Sequence, residues 1–212
     1  MTQAIHKFTD TRQQIIDTAK NIMLGKGFAA VGLNEILTQA NVPKGSFYHY
    51  FKSKEQFGDA LLEDYLDGYL AHIDTKLSPE TKSSPETNLS LENNTVKARL
   101  LAYFQNWLDT QTADTTQDKC LVVKLSAEVT DLSETMRLTL HRGTDRIINR
   151  IALCVQEGID NGEFSANLNA QFVTREIYYM WIGATLFTKV NRSRDALESA
   201  MSSLKNKLDL ST

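Results

Sequence analysis

Apolar residues recur along this chain at the three-to-four-residue spacing of a helix rather than at the alternation of a strand. Ile15, Ala19, Ile22 and Met23 form a first stripe. Asp10 and Gln13 ahead of it resemble a capping box, and Gly25 and Gly27 end it. Leu33, Ile36, Leu37 and Ala40 predict a second, two-turn piece closed by Asn41, a residue type that tolerates the left-handed conformation. Pro43 fits the first turn of a third helix. On that helix Phe47, Tyr50 and Phe51 share a face and leave Lys44, Ser46, Tyr48 and His49 largely on the others. A fourth helix begins near Lys54, carries Phe57, Leu61 and Tyr65 along one stripe, and runs to about Leu77 as a bridge to a second domain.

From Ser78 to Asn94 the stretch SPETKSSPETNLSLENN holds two of the chain's three prolines, a doubled SPET and almost no apolar side chains, which predicts a mobile loop. Helical spacing then resumes. Val96, Leu100, Phe104, Trp107 and Leu108 form one stripe, a shorter helix runs from Cys120 to about Val129, and a long one from Met136 to Ile159 stops at Asn161–Gly162. Two more are expected at roughly 169–189 and 194–208, the last with Leu197, Met201, Leu204 and Leu208 in register. The apolar run Ile177 to Phe187 is about half the length of a membrane span and reads as a buried helix. Two adjacent terminal helices, one of them apolar nearly all round, would leave a large patch on a monomer, so they are expected to pack against a partner.

Composition narrows the class. With 42% hydrophobic and 23% charged residues, a chain of 212 residues can bury a sizeable core without staples. Cys120 and Cys154 alone make neither a disulfide framework nor a zinc site, and reduced thiols fit a cytoplasmic location. The start MTQAIHKFTD lacks the apolar core of a signal peptide, so neither export nor a membrane is expected. The net charge of −3 is unevenly spread. Residues 1–58 hold seven Lys and Arg (Lys7, Arg12, Lys20, Lys26, Lys44, Lys52, Lys54) against four acids (Asp10, Asp17, Glu35, Glu55), so this stretch carries +3 and the remainder −6. A positive N-terminal module on a negative body would orient on a polyanion and keep the body away from it.

Residues 33–51 supply what a helix-turn-helix needs: a short helix, a tight turn, and a second helix with outward residues able to reach base edges and phosphates. Tyr48 and His49 offer planar donors and apolar faces, and Ser46 a hydroxyl. Lys44, Lys52 and Lys54 offer charge for phosphates, and Gly45 allows close backbone approach. The spacing by itself also fits a small helical subdomain with exposed aromatics. The stretch VPKGSFYHYFKSKEQF, following Gly27–Phe28 and a helix with Glu35–Ile36, closely resembles the signature of TetR-type repressors, and the resemblance extends through length and layout to the whole chain. It implies an all-α protein with an N-terminal three-helix helix-turn-helix DNA-binding domain over 9–69 and a C-terminal helical sensor and dimerisation domain over 70–212. It implies also a homodimer on a palindromic, double-stranded operator, released by a signal. Arg12, Gly32, Lys44, Gly45, Ser46, Tyr48, His49, Lys52 and Lys54 are the expected DNA face. Where family members usually start the second helix with Thr or Ser, this chain has Gly32, which loses a hydroxyl contact but remains an acceptable N-cap with a phosphate-facing amide.

DKCLVVKLSAEVTDLSETMR carries the candidate sensor. Cys120 falls in the first turn of a helix behind Asp118, with Lys119 beside it and Lys124 one turn on; helix amides and ammonium groups favour the reactive thiolate. A buried small hydrophobe fits the same residue, and fits Cys154, between Ile151 and Val155, better still. The block from Cys120 to Arg137, with the later LFTKVNRS, resembles the electrophile- and oxidant-responsive branch of the family. There the matching cysteine is Cys120 and a partnering lysine matches Lys189, whose amine would condense with a sulfenic acid. The competing reading is a reversible small-molecule effector in a pocket drawn from Tyr103, Trp107, Met136, His141 and Tyr178, residues that fit plain core as well. Catalysis is not indicated. His6, His49, His72 and His141 form no metal-ligand spacing, no HExxH, GxSxG or phosphate-cradling loop occurs, and neither cofactor nor metal is implied.

Overall fold

The computed structural model describes the backbone of residues 2–79, 95–113 and 120–209 and the side chains of 11–79, 95–113 and 120–208. Of the expected loop over 78–94, residues 80–94 lie outside this description, as do Asp118 and Lys119. The described chain is all helix. Its elements are α1 (Thr2–Lys26), α2 (Leu33–Gln39), α3 (Lys44–Tyr50), α4 (Lys54–Leu77), α5 (Val96–Thr112), α6 (Leu121–Leu132), α7 (Glu134–Asp160), α8 (Ala170–Asn191) and α9 (Asp195–Asp209). Tertiary contacts gather them into two compact units, Met1–Gly68 with Thr115–Gly143 and Tyr69–Asp114 with Thr144–Thr212. Helix α6 and the first turns of α7, which the sequence pattern assigns to the segment 70–212, therefore pack with the N-terminal helices.

In the first unit α1, α2 and α3 pack on one another. Two of these helices have seven residues each, too short to be stable in isolation, so packing has to hold them. Ile15, Ile16, Ala19 and Met23 of α1, Ile36 and Leu37 of α2, and Phe47 of α3 are all buried. Phe47, Phe51 and Phe57 stack edge-on or tilted, with ring centroids 5.0–5.4 Å apart. Each fully buried ring contributes about 2–3 kcal/mol of transfer free energy. Lys20 fixes α1 to α4. Partial burial pulls its amine down, but pairing with Asp17 (2.7 Å) and Asp64 (2.6 Å) more than offsets this and raises its pKa.

Three expectations for this unit change. Helix α1 begins at Thr2, because no Gly or Pro interrupts the first residues, so Asp10 stands inside the helix rather than capping it. Gln13 instead reaches sideways to Asp17 (3.2 Å) and Asp64 (2.8 Å). Gly25 stays helical, and Gly27, at φ +89°, ends α1. Pro43 is the N-cap of α3, extended at ψ 144°, with the first turn starting one residue later.

In the second unit α8 and α9 pack together and both pack on α5. Phe104, Trp107, Tyr178 and Trp181 form its aromatic centre, with Phe104–Trp181 centroids 4.8 Å apart. The start of α5 is capped twice: Thr95 accepts from the Ala98 N–H (3.1 Å), and Glu163 accepts from the N–H groups of Val96 and Lys97 (3.0 Å each). The apolar run Ile177 to Phe187 is buried on one side only. Ile177, Tyr178, Trp181 and Thr185 face inward, whereas Phe172, Tyr179, Leu186, Phe187 and Val190 are 49–65% exposed on the other face of α8. Helical geometry explains this, since one chain's α5 and α9 can cover only part of a helix that is apolar nearly all round.

Candidate DNA-reading head and sensor helix

The candidate reader is built from the α2–turn–α3 segment. Gly32 caps α2 with its backbone, its carbonyl accepting from the Glu35 (3.1 Å) and Ile36 (3.3 Å) N–H groups. Asn41 takes the left-handed conformation at φ 52°, which lets the Val42 N–H turn back to the Leu37 carbonyl (3.0 Å). Gln14 of α1 donates to the carbonyl of Ala40 (2.8 Å), fixing the same turn from outside. With Phe47 and Phe51 drawn into the core, Lys44, Gly45, Tyr48 and His49 of α3 and Lys52 beyond it are exposed; Tyr48 shows 55% of its surface. Gly32 is exposed and Ser46 half-buried.

Two candidate DNA residues have internal work. The guanidinium of half-buried Arg12 lies 5.4 Å from the Phe51 ring centre. Lys54 donates to the Val31 carbonyl (2.8 Å) and sits 4.9 Å from the Phe28 ring centre, so its ammonium is committed to the α1–α2 loop. Sequence reasoning passed over the cap that starts α4, although its signal, Ser53 followed by Gln56, was present. Ser53 Oγ accepts from the Gln56 N–H (3.1 Å), and Gln56 Oε1 accepts from the Lys52 N–H (2.7 Å).

Cys120 is the N-cap residue of α6, 8% exposed and in no disulfide, and the next N–H, that of Leu121, donates to the Tyr65 hydroxyl (3.2 Å). Lys124, expected to assist the thiol, sends its ammonium to the carbonyl of Gly25 at the end of α1 (3.3 Å). One turn further along α6, Glu128 reaches the loop after α1. Its Oε2 accepts from the Phe28 N–H (2.9 Å) and its Oε1 from the Ala29 N–H. No local sequence pattern predicts this grip, because its partners are separated by 99 and 100 residues. Lys189 is exposed on α8 and belongs to the second unit, whereas Cys120 belongs to the first. Cys154 is buried, and burial pushes its thiol pKa up against the opposing pull of Arg99, which disfavours the reactive thiolate.

The candidate effector residues divide as well. Tyr103, Trp107 and Tyr178 meet in the second unit, with Trp107–Tyr178 centroids 6.0 Å apart; buried Met136 and exposed His141 lie in the first. Among the described residues no group of three or more His, Cys, Asp or Glu side chains could hold a metal, and no helix is long and apolar enough to cross a membrane.

Residues 15–61 match the model of bacterial regulatory proteins of the tetR family, and residues 96–204 match the tetracyclin repressor-like C-terminal domain. The chain belongs to the TetR family. TetR-family proteins are DNA-binding transcription regulators, not enzymes, and the helix-turn-helix of α2 and α3 is the family's reading element. The chain is 37% identical over 201 residues to the HTH-type transcriptional repressor NemR of Escherichia coli K12, covering 95% of each chain. It is 31% identical over 193 residues to the transcriptional regulator AcuR of Cereibacter sphaeroides, covering 88% of this chain and 80% of that one. The crystal structure of the reduced form of E. coli NemR superposes with a TM-score of 0.81, covering 93% of this chain and 96% of the other.

Proposed function

We propose that this TetR-family regulator is a homodimeric, cytoplasmic repressor that holds a palindromic operator and releases it when an oxidant or electrophile modifies Cys120. The observation that carries this reading is the place of Cys120, at the head of α6, whose later turns hold the end of α1 and the loop after it in the DNA-reading unit. Likeness to NemR, a repressor whose reduced form has been solved, supports a redox-responsive reading. The chemistry is simple. A maleimide-type electrophile forms a carbon–sulfur bond with the thiolate and takes up one proton. A peroxide or hypochlorite oxidises the thiol to a sulfenic acid; attack of the Lys189 amine on that sulfur would make an S–N bond and expel water. Either product enlarges a side chain that is now 8% exposed, and α6 would have to move to accommodate it.

The proposed DNA face comprises Gly32, Lys44, Gly45, Ser46, Tyr48, His49 and Lys52 from each protomer, with Arg12 and Lys54, whose side chains also engage Phe51 and the α1–α2 loop, at its margin, and with dimerisation through the exposed face of α8. The test is maleimide or hypochlorite titration of the protein bound to a fluorescent operator duplex. Wild-type protein is expected to dissociate stoichiometrically and Cys120→Ser to stay bound. Release of Cys120→Ser as readily as the wild type would end the covalent reading.

One observation favours a reversible effector instead. Along the buried face of α8 in the second unit, Thr174 Oγ1, Trp181 Nε1 and Thr188 Oγ1 have no hydrogen-bond partner among the described residues. A buried unsatisfied donor costs about 1–3 kcal/mol, which a polar ligand group would recover. An effector that releases wild-type and Cys120→Ser protein alike would establish this second reading.

A further inference from the structure

We propose that Glu128 is a positioning residue for operator binding: its carboxylate holds the α1–α2 loop by two backbone N–H groups and thereby ties the placement of the α2–α3 reader to that of α6. The proposal rests on the DNA-binding assignment and is independent of the Cys120 switch.

The grip has two opposite charges one helical turn apart. Lys124 takes the carbonyl of Gly25 (3.3 Å), a terminal acceptor of α1, and Glu128 takes the N–H groups of Phe28 (2.9 Å) and Ala29 just beyond it. Each charge meets the backbone dipole of its own complement. The loop is shaped for the carboxylate. Gly27 sits at φ +89°, and a Cβ there would stand 2.9 Å from Glu128 Oε2, so a side chain at 27 would displace the oxygen that holds Phe28.

From that point the connection to the reader is short and packed. Phe28 is 4% exposed, and its ring lies against Gly58 of α4 so closely that a Cβ on Gly58 would be 2.6 Å from it; the Met136 methyl of α7 closes on the same spot at 2.7 Å. Lys54 covers the ring and donates to Val31, the buried residue immediately before Gly32 and α2. Between Glu128 and the start of α2 the loop is therefore held at three points, Phe28, Ala29 and Val31. A shift of α6 along or about its axis has to move the loop or break the two N–H bonds.

The test uses the full-length protein and a duplex selected from a random pool by the unsubstituted protein. Affinities are measured by fluorescence anisotropy at a temperature where every variant is fully folded by circular dichroism. Amide hydrogen exchange is followed in parallel. Glu128→Ala is expected to speed exchange at Phe28 and Ala29 selectively and to weaken binding by about fivefold or more, the lower end of a usual coupling between sites. Glu128→Gln, which keeps one acceptor oxygen but turns an NH2 toward the second N–H, should fall between. Faster exchange at 28 and 29 with unchanged affinity overturns the proposal, and so does unchanged exchange. Should Glu128→Ala fail to fold, Glu128→Gln decides: affinity equal to the unsubstituted protein is then the overturning result. A selection that yields no duplex would defeat the DNA-binding assignment itself, and is distinguishable because it precedes any substitution.

Discussion

At the scale of single residues, Gly27 has two separate reasons to be glycine, a φ of +89° and a carboxylate oxygen 2.9 Å from where a Cβ would stand. Alanine at a positive φ costs roughly 1–2 kcal/mol, and displacement of Glu128 from the Phe28 N–H adds the loss of a charge-assisted bond of about 1.5–3 kcal/mol. Gly27→Ala should therefore lower the urea midpoint clearly, by an amount consistent with about 2 kcal/mol or more; an unchanged midpoint would mean that the loop relaxes without strain. Asn41 and the inward Phe47 and Phe51 were legible in sequence because local conformation and helical spacing determine them. Glu128 was not, since nothing near it in sequence distinguishes a gripping glutamate from a solvated one. Lys54 shows the same limit from the other side. It reads as a phosphate contact by charge, but it is engaged by a carbonyl and a ring that only the fold brings to it.

Whole elements were more legible than their faces. The starts and ends of α4, α7 and α9 follow from spacing and from Asn161–Gly162, where Gly162 indeed takes φ +75°. Periodicity could not say which side of α8 its own chain covers, because apolar residues on every side give no contrast. In the structure Phe172, Tyr179, Leu186, Phe187 and Val190 recur on one exposed face, separated from the buried face that meets α5 and α9. A stripe of that kind is expected to be covered by the same stripe of a second copy, a two-fold arrangement. Tyr179→Glu and Phe187→Glu should each place a charge at such a contact and shift the sedimentation coefficient from dimer toward monomer at micromolar concentration, with helicity retained. If both variants sediment as the unsubstituted protein does, the contact lies elsewhere.

For the molecule as a whole, the division of charge matters more than its total. A chain of net charge −3 still presents Lys44 and Lys52 on the reader, because residues 1–58 carry +3 and the acids are concentrated beyond them. On the proposed DNA face, attraction would depend on a few phosphate contacts in each protomer, and counterion release makes their number measurable. The slope of log affinity against log salt falls by about 0.9 for each phosphate contact removed, so Lys44→Ala in a dimer should flatten it by about 2 while weakening binding to related and unrelated duplexes alike. Tyr48, an exposed ring with a hydroxyl and no charge, should behave differently. Tyr48→Ala is expected to leave the slope intact and to reduce affinity several-fold for the selected duplex more than for a scrambled one, as loss of a base-edge contact would. An unchanged slope for Lys44→Ala would place that lysine away from the phosphates. Equal losses on both duplexes for Tyr48→Ala would give the ring a backbone role and leave sequence reading to Ser46 and His49.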